Sequence, residues 1–244
     1  MSRYILLILG TTVFLWATSA NEIIKKVEDN LNGKSLDMKI SMIVHTKRTK
    51  RTMKLQSLSI GKTKSFMKVL YPKKDKGITF LKIENTMWQY VPKIERVIKI
   101  PASMMLQSWM GSDFTNDDLV RESSISDDYF QKLIFQNNDI YTIELLPKDE
   151  STVVWGKVIM NISKKYYLPV KVDYFDEDGE LIRILYYKDI KKYGERFYPS
   201  YWEMLPQTKE KEGRKTIMTV QSAIFDKEIK SSYFTKRALK RYSK

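Results

Sequence analysis

The sequence contains no cysteine and only one histidine, His45. Without thiols the chain can form no disulfide, no cysteine-ligated zinc or iron–sulfur site and no thiolate nucleophile. A single imidazole also excludes most multi-histidine metal sites. A phosphate-binding loop, a dinucleotide-binding fingerprint and the G-x-S-x-G nucleophile elbow are missing as well. These absences remove most common catalytic chemistry, so we expect neither an enzyme nor a cofactor.

Two features could still suggest catalysis. A hydrolytic triad would depend on His45, which the local alternation places on a polar strand face. The acidic pairs Asp117-Asp118 and Asp127-Asp128 are typical of helix caps and turns. A hydrolase is therefore the least favoured function.

The N-terminus has the three parts of a secretory signal peptide. Arg3 is followed by the apolar run Ile5–Trp16 and by the small residues Ala17-Thr18-Ser19-Ala20. The run is shorter than the roughly 20 residues that span a bilayer, and there is no cysteine to carry a lipid anchor. We expect residues 1–20 to be cleaved after Ala20. Residues 21–244 then form one exported, soluble domain, because no linker, repeat or low-complexity tract interrupts them.

The formal net charge of the chain is +14. For an exported protein this favours anionic lipid head groups or an acidic protein as partners over nucleic acid. Solubility alone is the other explanation. The cluster Lys47, Arg48, Lys50, Arg51 and Lys54 is either a solvated hairpin tip or a contact with an anionic membrane or a partner.

After a predicted helix at Asn21–Leu31, capped by Asn21, apolar residues recur with a period of two. This pattern predicts strands at Ser35–His45, Thr52–Ile60, Ser65–Tyr71, Ile78–Glu84, Met87–Val91, Ile140–Leu146, Val153–Ile162, Val170–Phe175, Leu181–Ile190, Arg196–Met204 and Thr216–Phe225. Many short strands, with a hairpin at Asp176–Gly179, are typical of an antiparallel sandwich or barrel. Cover for the sheet would come from the first helix, the Pro101–Arg121 region and the C-terminal Ser232–Lys240 segment.

The Pro101–Arg121 region differs from its surroundings. It crowds methionine and aromatic residues together and then predicts a short helix from Thr115 to Leu119. The whole chain has twelve methionines and five tryptophans, and methionine adapts well to irregular apolar contents. A packed core and an apolar ligand cavity both agree with this composition.

Several motifs, spread over nearly all of residues 21–244, resemble one known family. They are Met87-Trp88-Gln89-Tyr90-Val91-Pro92, Arg96-Val97, Met110-Gly111-Ser112-Asp113-Phe114 followed by Asp117-Asp118-Leu119, Leu168-Pro169-Val170-Lys171, Tyr174-Phe175-Asp176 through Gly179, Tyr198-Pro199 and Phe234-Thr235-Lys236-Arg237-Ala238-Leu239. Together they are similar to the outer membrane lipoprotein-sorting protein family of the LolA/LolB superfamily.

The resemblance implies a mainly β (α+β) fold, a single antiparallel β half-barrel whose concave face is covered by short helices. It also implies a periplasmic carrier that binds a lipid or the acyl chains of a lipoprotein and moves it towards the outer membrane. Partners would be that cargo, a membrane transporter or outer-membrane acceptor, and transiently an anionic membrane. The ligand-binding residues expected at the cavity are Trp88, Tyr90, Met104, Met105, Trp109, Met110 and Phe114. The alternative is an envelope-stress or transporter-accessory interaction module on the same fold.

Overall fold

The computed structural model describes residues 18–121, 125–151 and 153–244. The predicted apolar run Ile5–Trp16 lies outside the described residues. Thirteen strands form one antiparallel sheet. They are β1 (Ser35–His45), β2 (Lys50–Ile60), β3 (Lys64–Tyr71), β4 (Thr79–Ile83), β5 (Thr86–Val91), β6 (Arg96–Lys99), β7 (Tyr129–Gln136), β8 (Ile140–Pro147), β9 (Lys157–Ser163), β10 (Leu168–Phe175), β11 (Leu181–Tyr193), β12 (Arg196–Pro206) and β13 (Lys215–Phe225).

Every strand predicted from the alternation is present; β1 has the predicted ends, and the others are shifted at one or both ends. β6 and β7, which were not predicted, are the two edges of the sheet. All four residues of β6 are exposed, and β7 exposes Phe130, Ile134 and Phe135. Because an edge strand needs no buried face, its sequence carries little alternation to detect.

The strand order is β6-β5-β4-β3-β2-β1-β13-β12-β11-β10-β9-β8-β7. β5 and β12 are six strand spacings apart in this order, which is about 29 Å in a flat sheet. Residues of both strands nevertheless line one cavity. The sheet therefore curls into an open half-barrel, as the family resemblance implies, and is neither a two-sheet sandwich nor a closed barrel.

Helix α1 (Ala20–Asn32) begins one residue earlier than predicted. Its cap is Ser19, not Asn21: the Ser19 hydroxyl accepts from the Glu22 backbone N–H, and the Glu22 carboxylate accepts from the Ser19 backbone N–H. Cleavage after Ala20 would remove this cap. The buried face of α1 carries Ile23, Ile24 and Val27, and the helix contacts β7, β10 and β12.

Helices α2 (Asn116–Arg121) and α3 (Ile125–Asp128) are short and belong to the same cover. The expected start of α2 at Thr115 is confirmed, since Thr115 and Asp118 exchange hydrogen bonds between side chain and backbone. Helix α4 (Lys236–Arg241) instead packs on β4, β5 and β6. The C-terminal segment therefore covers the other face of the sheet.

The two faces bury separate clusters of side chains. We call the face that bears Met38, Leu55 and Phe80 concave, because it faces α1 and the cavity. The opposite, convex face bears Leu58 and Leu81 with the C-terminal segment. Successive residues of a strand point to opposite faces, so each of β2–β5 contributes to both clusters.

Candidate functional site

The concave face encloses a cavity of about 150 Å³. Its apolar lining comes from seven strands, α1 and the α2 region. The lining consists of Leu31, Leu36, Met38, Ile40, Leu55, Met67, Phe80, Met87, Phe114, Leu119, Tyr198, Trp202 and Met218. A dry cavity of similar volume with aliphatic and aromatic walls is large enough to bind benzene. The cavity therefore accepts a small apolar group as it stands.

One end of this cavity is polar. Lys62, Lys64 and Lys82 line it together with serines 57, 59 and 65. These residues lie around the β2–β3 hairpin. Lys82 is 5% exposed, and its ammonium donates to the Lys62 backbone oxygen at 2.8 Å. An apolar interior with a cationic, hydroxyl-lined mouth suits an amphiphile.

A second cavity of about 50 Å³ lies beside the first. Leu31 and Asp118 line both cavities. The second cavity is walled by aromatic residues that include Tyr129 on β7, Tyr187 on β11 and Trp155 in the loop before β9. Leu31 of α1 and Asp118 of α2 thus form a partition across one longer apolar trough.

A buried ion pair holds this partition. The Arg183 guanidinium on β11 donates to both carboxylate oxygens of Asp118, one of them at 2.8 Å, and also to the Asp113 backbone oxygen. The side chains are only 4% and 9% exposed. The Arg183 guanidinium lies 4.3 Å from the ring centroids of Trp155 and of Tyr174. An unpaired charge at this depth would be costly, so α2 is fixed firmly against the sheet.

The segment 109–114 closes the other end of the first cavity. Trp109 is fully buried with its ring centroid 5.4 Å from that of Phe80. The next two residues, Met110 and Gly111, both have left-handed backbone conformations, which a non-glycine residue adopts at some cost. This strained turn lies between Trp109 and the cavity-lining Phe114.

Polar contacts anchor the 109–114 segment to neighbouring hairpins. The Thr216 hydroxyl donates to the Asp113 carboxylate at 2.7 Å and accepts from the Asp113 backbone N–H at 2.9 Å. Arg214 donates to the same carboxylate at 3.1 Å. Arg51 donates to the Met110 backbone oxygen. The cover is therefore held by side chains from β2, β13 and the turn before β13.

A second ionic cluster joins α1 to α3 at the mouth. The Glu28 carboxylate accepts from the Ser126 hydroxyl at 2.6 Å and from the Ser126 backbone N–H at 2.8 Å, while Lys62 pairs with Asp127 at 2.5 Å. Burial raises the pKa of Glu28 above its ordinary value, despite opposition from the Ser126 hydrogen bonds and the Lys62 charge. Although burial acts against its charge, the carboxylates of Asp127 and Glu28 hold the pKa of Lys62 above its usual value.

The structure brings together only part of the expected ligand-binding set. Phe114 lines the cavity, and Trp109 packs in the concave core directly behind it. Three methionines, Met104, Met105 and Met110, are partly buried against that core.

The other two expected residues lie elsewhere. Trp88 and Tyr90 belong to the convex cluster beneath the C-terminal segment, and the Lys236 ammonium lies 4.9 Å from the Trp88 ring centroid. Met87 is the β5 residue that faces the cavity.

The predicted basic cluster lies around the β1–β2 hairpin. Lys47, Arg48, Lys50 and Lys54 are exposed, whereas Arg51 is half-buried because it reaches the 109–114 segment. His45 is half-buried at the end of β1, opposite Lys50, and is outside the lining of both cavities. Within the described residues, no cluster of three or more histidine or carboxylate side chains could hold a metal ion.

Sequence reasoning missed Lys82, Asp118 and Arg183. On their strands, Lys82 and Arg183 each lie two positions from a buried apolar residue. The alternation therefore predicts an apolar side chain at both positions. That break in the pattern was the available signal. The pairing of Arg183 with Asp118, 65 positions apart, has no local signature.

None of the curated proteins matches this chain. Solved structures do match over most of its length. A DUF1329 family protein from Desulfovibrio piger has a TM-score of 0.83 and 20% identity, covering 90% of this chain and 97% of that one. An outer membrane lipoprotein-sorting protein domain from Vibrio parahaemolyticus has a TM-score of 0.79 and 23% identity, covering 91% and 98%. A LolA superfamily protein from Nitrosomonas europaea has a TM-score of 0.77 and 19% identity, covering 91% and 100%.

Across the part of the chain that the structure describes, no helix has the length and apolar character needed to cross a membrane. A family model described only as that of an uncharacterized protein matches residues 61–241. The chain belongs to the family that this model describes, and the resemblance to the LolA/LolB superfamily predicted from its motifs is confirmed in its fold.

Proposed function

We propose that this protein is a periplasmic carrier that shields the acyl chain of a lipid or lipoprotein in the concave trough. The observation that carries the proposal is the apolar cavity with a lysine- and serine-lined mouth at one end and the 109–114 segment at the other. The fold similarity to LolA superfamily proteins supports it. Burial of each methylene group would contribute about 0.8 kcal/mol before ordering costs.

A complete acyl chain needs more room than the closed cavity provides, since about 150 Å³ is a volume suited to one benzene ring. Loading therefore requires the cover to move. The partition at Leu31 and Asp118 separates the first cavity from the second. Displacing α2 would join the two into one trough, and this is the movement that we assign to loading and release.

The test is equilibrium binding of a fluorescent long-chain fatty acid to variants of two adjacent residues on β2. Ser57 lines the cavity, whereas Gln56 is on the convex face, where its amide donates to Asp37 at 3.0 Å. Both side chains are half-buried. Ser57→Trp fills the mouth and is expected to weaken binding at least about tenfold, the equivalent of about 1.4 kcal/mol.

The matched control is Gln56→Trp, which places the same indole side chain outside the trough and is expected to keep the wild-type affinity. Circular dichroism would establish that both variants are folded. Equal affinities in Ser57→Trp and wild type would contradict binding in this cavity.

A further inference from the structure

The strand ends that lie opposite the cavity mouth carry a dense positive charge. Antiparallel pairing of His45 with Lys50 and of Lys54 with Tyr71 brings the β1–β2 hairpin next to the β3–β4 loop. The two segments, residues 47–54 and 72–78, contain eight basic residues and one acidic residue, Asp75. We call this surface the basic rim. After the larger effect of burial, the charge of Lys76 also lowers the pKa of Lys68, as expected where cations are crowded.

Exposed apolar side chains lie beside the basic rim. Tyr71, at the end of β3, is 50% exposed, and Ile94, in the turn between β5 and β6, is 54% exposed. Lysines and arginines around exposed aromatic and aliphatic side chains are the composition of surfaces that bind anionic bilayers. Farther along the same row of strand ends, the β10–β11 hairpin is acidic, with Asp176, Glu177, Asp178 and Glu180. Only the basic rim, and not the acidic hairpin, would approach such a bilayer.

Two arginines connect this surface to the cover of the cavity. Arg51 donates to the Met110 backbone oxygen, and Arg214 donates to the Gly111 backbone oxygen at 3.4 Å and to the Asp113 carboxylate. Met110 and Gly111 form the strained turn of the 109–114 segment. A lipid phosphate is a stronger acceptor for guanidinium than a neutral peptide oxygen, because the phosphate is itself charged and can accept two parallel N–H···O bonds from one arginine.

We propose that the basic rim docks on an anionic phospholipid bilayer and that lipid phosphates replace the Met110–Gly111 turn as hydrogen-bond acceptors for Arg51 and Arg214. The turn then relaxes, Trp109 and Phe114 lose their fixed positions, and the cavity opens towards the bilayer. This inference rests on the proposed carrier function for its purpose, since it makes the membrane the signal for cargo transfer. The docking itself can be measured without any cargo.

Docking is tested by co-sedimentation of the exported protein, without residues 1–20, with phosphatidylglycerol-containing vesicles and with pure phosphatidylcholine vesicles. We expect binding only to the former. Lys73→Glu combined with Lys74→Glu should weaken it by more than about 25-fold, because each lysine near an anionic surface contributes about fivefold. Lys227→Glu combined with Lys230→Glu makes the same charge change after β13, at the opposite ends of the strands. This double variant should retain binding. Absence of wild-type binding, or equal losses in both double variants, would overturn the docking surface.

Release of the turn is tested by hydrogen exchange of the backbone amides in residues 109–120. Phosphatidylglycerol vesicles should accelerate exchange in the wild type, and phosphatidylcholine vesicles should not. In Arg51→Gln, exchange without vesicles should already be faster and should respond less to them. Docking with unchanged or slower exchange would overturn the coupling. Fatty acid binding without vesicles is measured separately, so docking without fatty acid binding would contradict the carrier function and leave the docking surface intact.

Discussion

The two faces of this one sheet differ in how completely their side chains fill the space above them. On the convex face, the rings of Tyr233 and Tyr242 stack at 4.2 Å between centroids, and both lie against Phe66. The Thr79 hydroxyl donates to the Leu239 backbone oxygen at 2.8 Å and ties α4 to the sheet. The concave face leaves cavities and buries charged groups, among them Asp118 on α2 and Arg183 on β11.

This difference separates stability from ligand binding. A close-packed face gains dispersion and hydrophobic free energy from every side chain. An incompletely filled face gives up part of that gain, and its ionic pairs hold covering elements in place without filling the space. The convex face therefore contributes to stability alone, whereas the concave face contributes to stability and can also change its contents. The predictions below test this division, from the largest effect to the smallest.

The largest effect is expected from Asp118→Ala, which leaves Arg183 buried and without this carboxylate. Removing one partner of a buried ion pair costs about 3–5 kcal/mol, and urea unfolding would measure the loss. Arg183→Met in the Asp118→Ala background should recover part of it, because the uncompensated charge is then gone. A loss below about 1 kcal/mol would show that the pair does not hold the partition.

Two fully buried leucines, Leu55 on β2 and Leu81 on β4, compare the faces directly. Leu81→Ala on the convex face and Leu55→Ala in the cavity wall should each reduce the free energy of unfolding by about 2–5 kcal/mol. Only Leu55→Ala should change fatty acid affinity when both are measured under conditions where the proteins are folded. A change of affinity in Leu81→Ala as large as in Leu55→Ala would break the division.

Two glutamates should give opposite pH dependences. The raised pKa of Glu28 means that the folded state holds its proton more tightly than the unfolded chain does. Its contribution is then greatest below the ordinary glutamate pKa and falls as the pH rises through the raised value. On β12, Glu203 hydrogen-bonds to Lys188 and Lys215, which lower its pKa. Its contribution is present above the ordinary value and is lost as the pH falls through the lowered value.

Glu28→Gln and Glu203→Gln separate the two contributions. The stability of the wild type relative to Glu28→Gln should increase from pH 7 to pH 4, whereas its advantage over Glu203→Gln, about 1 kcal/mol, should shrink below the ordinary glutamate pKa. Urea unfolding across this range, continued to pH values well below the ordinary glutamate pKa, would measure both differences. The same slope in both variants would contradict the assignment of Glu28 to a desolvated site.

The smallest effect is expected at Trp88. Lys236→Ala removes the ammonium above its ring and should lower stability by about 0.5 kcal/mol, as for an exposed cation–π contact. Fatty acid affinity should not change, because both residues belong to the convex side. A weaker affinity would place Trp88 in contact with the ligand, as its motif suggested.

The alternation of apolar residues sufficed to locate most strands, because a strand with one buried face must repeat with a period of two. It could not say which face would be concave. On β5 the alternation separates Met87 from Trp88, and the choice between them depends on α4 and the 109–114 segment, which arrive from distant parts of the sequence. The aromatic residues were the natural candidates for a cavity wall, but on this strand they pack in the convex cluster.

The partition of the trough was less predictable still. Asp118 reads as a helix-capping residue and does hydrogen-bond the Thr115 backbone N–H, yet its carboxylate also neutralises Arg183. Composition and charge indicated a basic surface at the β1–β2 hairpin. They gave no sign that Arg51 within it would reach the cavity cover, because that contact depends on how the Pro101–Arg121 region crosses the concave face.

The central claim is that the concave trough carries an acyl chain. The most direct measurement is native mass spectrometry, with lipid extraction, of the protein purified without detergent from the periplasm, where the proposed function places it. The account predicts an added mass that extraction identifies as a lipid or acylated peptide, present on wild type and Gln56→Trp and missing from Ser57→Trp. A wild-type protein that is empty, and that stays empty after incubation with acyl lipids, would contradict it.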